Sequence, residues 1–329
     1  MATMFDVASA AGVSHQTVSR VVNGDPSVRP ATKAKVDAAI AQLAYRPSAA
    51  ARALASRRTR TIGLISTGFP HYGPSSTMHG FNGAARAAGY QVSMATLDAS
   101  DADGLRPAVD ALLGQDVAAL VVVAADAHTL EAVSALDPSV PLVVADAGDG
   151  PGRHAVSIDQ ALGARLVVEH LQALGHRAIA HVRGPEPWTD AAERRRGWVE
   201  ACADLGVDAS VEVVGDWSPA SGHRAGLELA RRDDVTAVFC SNDQMAMGLV
   251  HALSDAGLRV PDDVSVVGFD DVPEAAHVVP PLTSVRQDFP ALGRRIMTVV
   301  EALLAGEDVP AIVERPELVV RGSSGPPRR

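Results

Sequence analysis

The sequence predicts an α/β protein with an N-terminal helix-turn-helix head and a two-lobed, doubly wound body. Three observations predict it. From residue 61 onward, short apolar runs alternate with helical stretches, the pattern of parallel sheets covered on both faces. That stretch is longer than one doubly wound sheet ordinarily needs, so it divides into two lobes. Charge marks the head: the chain has a formal net charge of −10, yet residues 1–60 hold nine Lys/Arg against three acids, a balance of +6. A small basic head on a large acidic body is the asymmetry of a nucleic-acid binder with a separate regulatory part.

Composition excludes other classes. The chain has 329 residues, 47% hydrophobic and 21% charged, an ordinary globular balance. No run approaches the length of apolar sequence that spans a bilayer. Met1 to Asp6 lacks the basic and apolar regions of a secretory signal. Two cysteines, Cys202 and Cys240, make no disulfide scaffold. The expectation is a soluble cytoplasmic protein with no membrane partner.

The head reads as three short helices. Thr3 caps the first, with Asp6 as its capping-box partner. Val7, Ala8 and Ala11 supply an apolar face, and Gly12 ends the helix. Ser14 caps a second helix, His15 to Val22, and Asn23-Gly24-Asp25-Pro26 is a turn. A third helix runs from about Pro30 to Leu43, with Val36, Ala39, Ile40 and Leu43 on one stripe. Ala8 is small where two helices must approach, and Gly12 can take the positive φ of the turn. Val13, Val18 and Val21 then face inward, leaving His15, Gln16, Ser19 and Arg20 outward. Gln suits adenine edges and Arg suits guanine, so this is the candidate recognition face. Ser48 to Ala55 restarts a helix too short to be stable alone, and Ser56 to Arg60 is a charged linker.

In the body the expected strands are Ile62–Ser66, Val92–Thr96, Val117–Val123, Leu142–Ala145, Ala178–Val182, Ala237–Cys240 and Val264–Phe269. Helices are expected near 75–88, 104–114, 129–136, 160–174, 189–205, 219–232, 243–257 and 290–305. Open α/β sheets bind ligands outside the carboxyl ends of their strands. Thr67, Asp146, Asn242, Asp243 and Asp270 fall there, with Tyr72 in the loop after the first strand. The residues themselves leave blander roles open. Asp146 and Asp270 also suit helix N-caps, Trp217 suits core, and Arg194 in Glu193-Arg194-Arg195-Arg196 suits a solvated helix face. The histidines form no His-x-x-x-His zinc pattern, and no Walker loop or nucleophile elbow occurs. No enzyme, metal or cofactor is expected.

Phe5-Asp6-Val7-Ala8, Gly12-Val13-Ser14, Gln16 to Asn23, Tyr45-Arg46-Pro47-Ser48 and Ala51-Arg52-Ala53-Leu54 together resemble the head of the lac repressor family of bacterial transcription regulators. The resemblance continues through Gly215-Asp216-Trp217-Ser218, Asn242 to Ala246, Asp263 to Asp271, Pro280 to Thr283 and Gln287-Asp288-Phe289. It implies a head over 1–46, a hinge helix and linker over 47–60, and a periplasmic-binding-protein-like body. One lobe would take 61–157 and 288–313, the other 158–287 and 314–322, with 323–329 a disordered tail. It also implies that His15, Gln16 and Arg20 read operator bases and that Ser14, Thr17, Ser19 and Asn23 touch the DNA backbone. Ala51 and Leu54 lie on the hinge helix, where Leu54 matches the minor-groove wedge.

In the interlobe cleft the resemblance implies a ligand held by Arg194, Trp217 and Phe289, with Gln287 beside the crossover. Two departures stand out. Where a lactose-binding member has an arginine after the second strand and an asparagine ending the third, this chain has Ala99 and Val123. The implied function is a homodimeric repressor released from a near-palindromic operator by a galactoside-like or other saccharide. Two alternatives are a co-repressor type whose purine or sugar-phosphate ligand tightens DNA binding, and a sugar-binding protein without DNA. Gly322 onward has no leucine heptads, so a dimer is expected rather than a tetramer.

Overall fold

The computed structural model describes residues 2–22, 25–45, 59–68, 70–97, 102–145 and 154–328. The chain forms two compact units, Met1–Arg60 and Thr61–Arg329. In the first, α1 (Met4–Ala11), α2 (His15–Val22) and α3 (Pro30–Gln42) enclose a core of Val7, Ala8, Val18, Val21, Val36, Ala39 and Tyr45. Local chemistry sets its turns. The Asp6 amide donates to Thr3 Oγ1 at 3.3 Å, and the Thr3 amide donates back to Asp6 Oδ2 at 2.7 Å, closing the capping box. Gly12 stands at φ 66° and ends α1 in the left-handed region. The Thr17 amide donates to Ser14 Oγ at 3.2 Å, which starts α2. Each fully buried valine of this core contributes about 1.5–3 kcal/mol, so a few such side chains hold a unit this small.

The second unit has two six-stranded sheets. The first contains β1 (Thr61–Thr67), β2 (Gln91–Leu97), β3 (Ala119–Val123), β4 (Leu142–Ala145), β5 (His154–Ile158) and β11 (Ile312–Glu314), in the order β11-β5-β4-β3-β1-β2, all parallel. The second contains β6 (Ala180–Arg183), β7 (Glu212–Val214), β8 (Ala237–Cys240), β9 (Ser265–Asp270), β10 (Thr283–Arg286) and β12 (Glu317–Val319), in the order β12-β10-β9-β8-β6-β7. The two orders correspond strand for strand. Central strands β3, β8 and β9 are buried along their whole length, as their apolar runs require.

Among the described residues, eight α-helices complete the body: α4 (Tyr72–Ala87), α5 (Ala102–Leu113), α6 (Ala127–Ser134), α7 (Gln160–Ala173), α8 (Thr189–Leu205), α9 (Pro219–Leu229), α10 (Asp243–Asp255) and α11 (Phe289–Leu304). The chain passes between the sheets after β5, after β10 and after β11. Helix α11 returns to the first sheet, where Leu292, Ile296 and Val300 join a core with Ile62, Val121 and Val143. Helix α7 packs Ala164, Val167 and Leu171 against Phe239 and Phe269 of the second. No helix among the described residues is long and apolar enough to cross a membrane.

Two expectations need correction. Strand β12 pairs antiparallel to β10, so the second sheet is mixed rather than parallel. Residues 323–328, expected as a disordered tail, are packed. The buried Ser323 hydroxyl donates to the Val266 carbonyl at 2.6 Å and accepts from the Thr283 amide at 2.8 Å. Ser324 Oγ lies 2.9 Å from His170 Nε2, and the Gly325 carbonyl lies 2.9 Å from His176 Nε2. Small polar residues read as loose from composition, yet the Ser323 carbonyl accepts from the Val266 amide at 2.8 Å, beside the start of the interior strands β9 and β10.

Candidate functional site

Two surfaces hold the residues singled out above. On the head, His15, Gln16 and Arg20 are exposed along α2, while Val18 and Val21 are buried on its opposite side. Ser14 is exposed; Thr17 and Ser19 are half-buried beside that row. The His15 ring stacks on Phe5 of α1, with centroids 5.2 Å apart and planes 14° apart. Phe5 is itself 70% exposed, an aromatic at the surface that hydropathy alone would assign to core. Its ring fixes the direction of His15. Asn23, Ala51 and Leu54 lie outside the described residues.

In the body, polar residues meet between the two sheets. Arg194 projects from α8 and is almost fully buried, not the solvated residue that its charged neighbours suggest. Its Nε donates to Gln160 Oε1 at 2.8 Å, and Nη1 donates to the Ser241 carbonyl. Nη2 lies 3.5 Å from Asp270 Oδ1 and 3.6 Å from Asp190 Oδ2. Gln160 Nε2 donates to Gln287 Oε1 at 2.8 Å, and Gln287 Nε2 donates to Asp270 Oδ1 at 2.7 Å. Arg194, Gln160, Gln287 and Asp270 thus form a closed polar ring. The guanidinium sits 3.9 Å from the centroid of the Phe269 ring, which supports its flat face.

Burial pushes the Asp270 carboxyl up to about 6, against the opposing pull of the Arg194 charge. Asp270 also adopts φ 107°, Asp271 φ 50° and Trp217 φ 70°, a left-handed conformation at three non-glycine residues around one cleft. Each such residue costs of order 1–3 kcal/mol and persists only where its surroundings hold it. Asn242 does that for Trp217. Its Oδ1 accepts from the Met245 amide at 2.9 Å, capping α10, while Nδ2 donates to the Trp217 carbonyl at 3.0 Å. Neighbouring Asp243 has a structural place. It accepts from the Val272 amide at 2.8 Å and the Ser284 hydroxyl at 2.6 Å, tying α10 to β10 and the loop after β9.

Two adjoining cavities, of about 50 and 30 Å³, lie along this cleft and share Gly73, Pro74, Trp188 and Asp190. The smaller is bordered by His71, Tyr72, Arg194, Trp217, Asn242 and Asp270. The larger has Gln160 and Gln287 on one side and Val123, Ala145, Val156, Ile158, Phe289 and Leu292 on the other. One wall therefore donates and accepts hydrogen bonds, and the other is apolar. Aromatic rings join them: Tyr72 meets Phe289 edge-on at 5.8 Å, and Trp188 meets Trp217 at 5.5 Å.

Arg194, Trp217, Asn242, Asp270, Gln287, Phe289 and Tyr72 are thus brought together. Thr67 is not. It is fully buried, and its hydroxyl accepts from the Ala125 amide at 2.9 Å, joining β1 to the loop after β3. Asp146 and Ala99 lie outside the described residues. Gln160, Trp188 and Asp190 are cleft residues that the sequence reading missed. Asp190 stands four residues before Arg194, on the same helical face, which is a legible signal. Gln160 directly follows the Asp159 cap at the carboxyl end of β5, a strand whose short, half-polar run hides it.

Residues 3–48 match the family described as bacterial regulatory proteins, lacI family, and residues 168–324 match the periplasmic binding protein-like domain. The chain is 37% identical to the lactose operon repressor of Escherichia coli (strain K12), over 92% of this chain and 84% of that relative. It is 32% identical to the HTH-type transcriptional repressor PurR of Haemophilus influenzae (strain PittEE), over 98% of each. Among solved structures it is similar to the lac repressor dimer bound to operator and the anti-inducer ONPF. That match has a TM-score of 0.92 and 34% identity and covers 98% of this chain and 99% of that one.

Proposed function

Because the chain belongs to the lacI family of bacterial regulatory proteins, DNA-binding transcription regulators with an effector-binding body and no enzymatic activity, we propose that it is a homodimeric repressor released from its operator by a saccharide. The observation that supports this most is the closed ring of Arg194, Gln160, Gln287 and Asp270 beside Trp217. A guanidinium and a carboxylate held rigidly at one wall offer paired donors and acceptors to neighbouring hydroxyls. The aromatic rings suit the apolar face of a pyranose. The opposite wall of Val123, Ala145, Val156 and Ile158 favours a glycoside with an apolar substituent over a fully hydroxylated disaccharide.

On the DNA side, His15, Gln16 and Arg20 are proposed to read base edges, with Ser14, Thr17, Ser19 and Asn23 on the backbone. Ala51 and Leu54 are assigned to the hinge helix by resemblance, with Leu54 as its wedge. A saccharide can release the operator only by binding one lobe arrangement more tightly than the other, and DNA must weaken saccharide binding by the same factor. The 32% identity to the repressor PurR supports a second reading, in which a purine or sugar-phosphate ligand tightens DNA binding.

The test is fluorescence anisotropy on DNA flanking the chain's own gene at fixed salt, because phosphate contacts make affinity salt-dependent. Protein is titrated with and without galactosides, glucosides and purines. Release by one glycoside is the expected result. Binding that requires a ligand would replace the induced repressor with the co-repressor reading.

A further inference from the structure

We propose that His223, His251 and Asp255 form a transition-metal site of the zinc type on helices α9 and α10, apart from the effector cleft. The three side chains come from two helices whose backbones touch. A Cβ at Gly222 would stand 2.0 Å from the Met245 carbonyl oxygen, and one at Gly248 would stand 1.9 Å from that of Pro219. Only glycine permits this approach, and it sets His223 of α9 against α10. His251 and Asp255 are four residues apart on α10 and share one face of it.

The spacing suits a metal. His223 Nε2 lies 3.3 Å and His251 Nε2 lies 3.6 Å from Asp255 Oδ2. The ligand atoms of all three residues fall within 4.8 Å of one another, and the imidazole centroids are 5.1 Å apart. Zinc binds histidine nitrogen and carboxylate oxygen at about 2.0–2.2 Å, so donors at the corners of its tetrahedron are about 3.4 Å apart. The two histidine–carboxylate pairs sit near that edge length, and the ligand nitrogens of the two histidines are within 4.8 Å of each other.

Two imidazoles and one carboxylate select Zn²⁺ and its neighbours over Mg²⁺ or Ca²⁺, which prefer all-oxygen shells. His223 is half-buried, while His251 and Asp255 are exposed, which leaves a fourth position to water. Small rotations of exposed side chains complete the geometry while the helices stay fixed. No sequence motif announces this site, because its third ligand lies on a different helix.

The test is a Zn²⁺ titration by calorimetry on the full, untagged chain, first stripped with chelator. One saturable zinc per chain is expected. Replacing even an outer-shell partner of a metal typically costs 10–100-fold in affinity, so His251→Ala and Asp255→Asn should each weaken binding by more than about tenfold. Both residues are exposed, so unchanged circular dichroism in chelator should show that each variant folds. Co²⁺ should give the visible bands of a four-coordinate centre in the unaltered chain and lose them in both variants. No saturable zinc step, or zinc binding undiminished in both variants, would overturn the site. Because the cleft residues are untouched, effector release of the operator should persist in both variants. That readout separates failure of this site from failure of the repressor reading.

Discussion

The two lobes share one strand order and present opposite chemistry to the cleft between them. The wall from the second sheet offers Arg194, Asp270 and Asn242; the wall from the first offers Val123, Ala145, Val156 and Ile158. Equal topology puts strand ends at the same place in each lobe, so topology explains where the pocket is. What the pocket accepts is decided by side chains at those ends. On one side they are held in a hydrogen-bonded ring, and on the other they are an extension of the apolar core.

Breaking the polar wall should have the largest effect. Arg194→Ala removes the cation from a buried ring and strands Asp270 and Gln160. Removing one partner of a buried ion pair costs about 3–5 kcal/mol. Thermal melts should show that loss, and operator-release titrations should show no effector response at any attainable concentration. A normal release curve would mean that the ring is structural and that the ligand is read elsewhere.

A smaller loss should follow from Ser323→Ala beside the starts of β9 and β10, where the packed C-terminal segment joins the second sheet. The Thr283 amide would lose its buried acceptor, at about 1–3 kcal/mol. Denaturant unfolding measures this. An unchanged midpoint would show that the segment adds nothing to the lobe.

Protonation tests the polar wall more gently. Asp270 is raised from 3.8 to about 6 by burial, so between those values the folded chain retains a proton that the unfolded chain has released. Stability therefore falls as pH rises through that window. The ionised carboxylate is the form that pairs with Arg194 and accepts hydroxyls, so effector affinity should rise as pH passes upward through about 6. Asp270→Asn should flatten that profile, which calorimetric titrations at several pH values would show. A flat profile in the unaltered chain would remove the carboxylate from recognition.

The apolar wall offers the finest change. Val123→Asn places an amide where the cavity wall is apolar, and should shift preference toward saccharides with a hydroxyl on that side. Competition titrations with matched deoxy and hydroxyl glycosides should show a change of about tenfold, the value of one good hydrogen bond. Unaltered preference would place the ligand against the polar wall alone.

How much of this was legible follows from distance along the chain. The helix ends of the head are set by contacts a few residues apart, so Thr3, Asp6, Gly12 and Ser14 announce its helices directly. Central strands announce themselves by apolar runs. Strand β10, Thr283 to Arg286, is buried over its first three residues although two of those are polar, because Thr283 and Ser284 bond to the C-terminal segment and to Asp243. Periodicity has no access to partners that far away. The same limit hid Gln160, whose role depends on Arg194 and Gln287, and it made Arg194 resemble its solvated neighbours. Thr67 failed differently: it ends a strand as expected, but its hydroxyl satisfies a backbone amide inside the lobe.

The chain has only three tryptophans, and two of them, Trp188 and Trp217, meet in the cleft at 5.5 Å with their planes 69° apart. Indoles that close and that oblique share their excited states, and the resulting ellipticity depends steeply on separation and angle. The third, Trp198, is buried in the core of the second lobe beside His181 and supplies a constant background. The protein therefore contains its own optical gauge. Closure of the cleft on any ligand should alter the near-ultraviolet circular dichroism without a label, before any DNA is added.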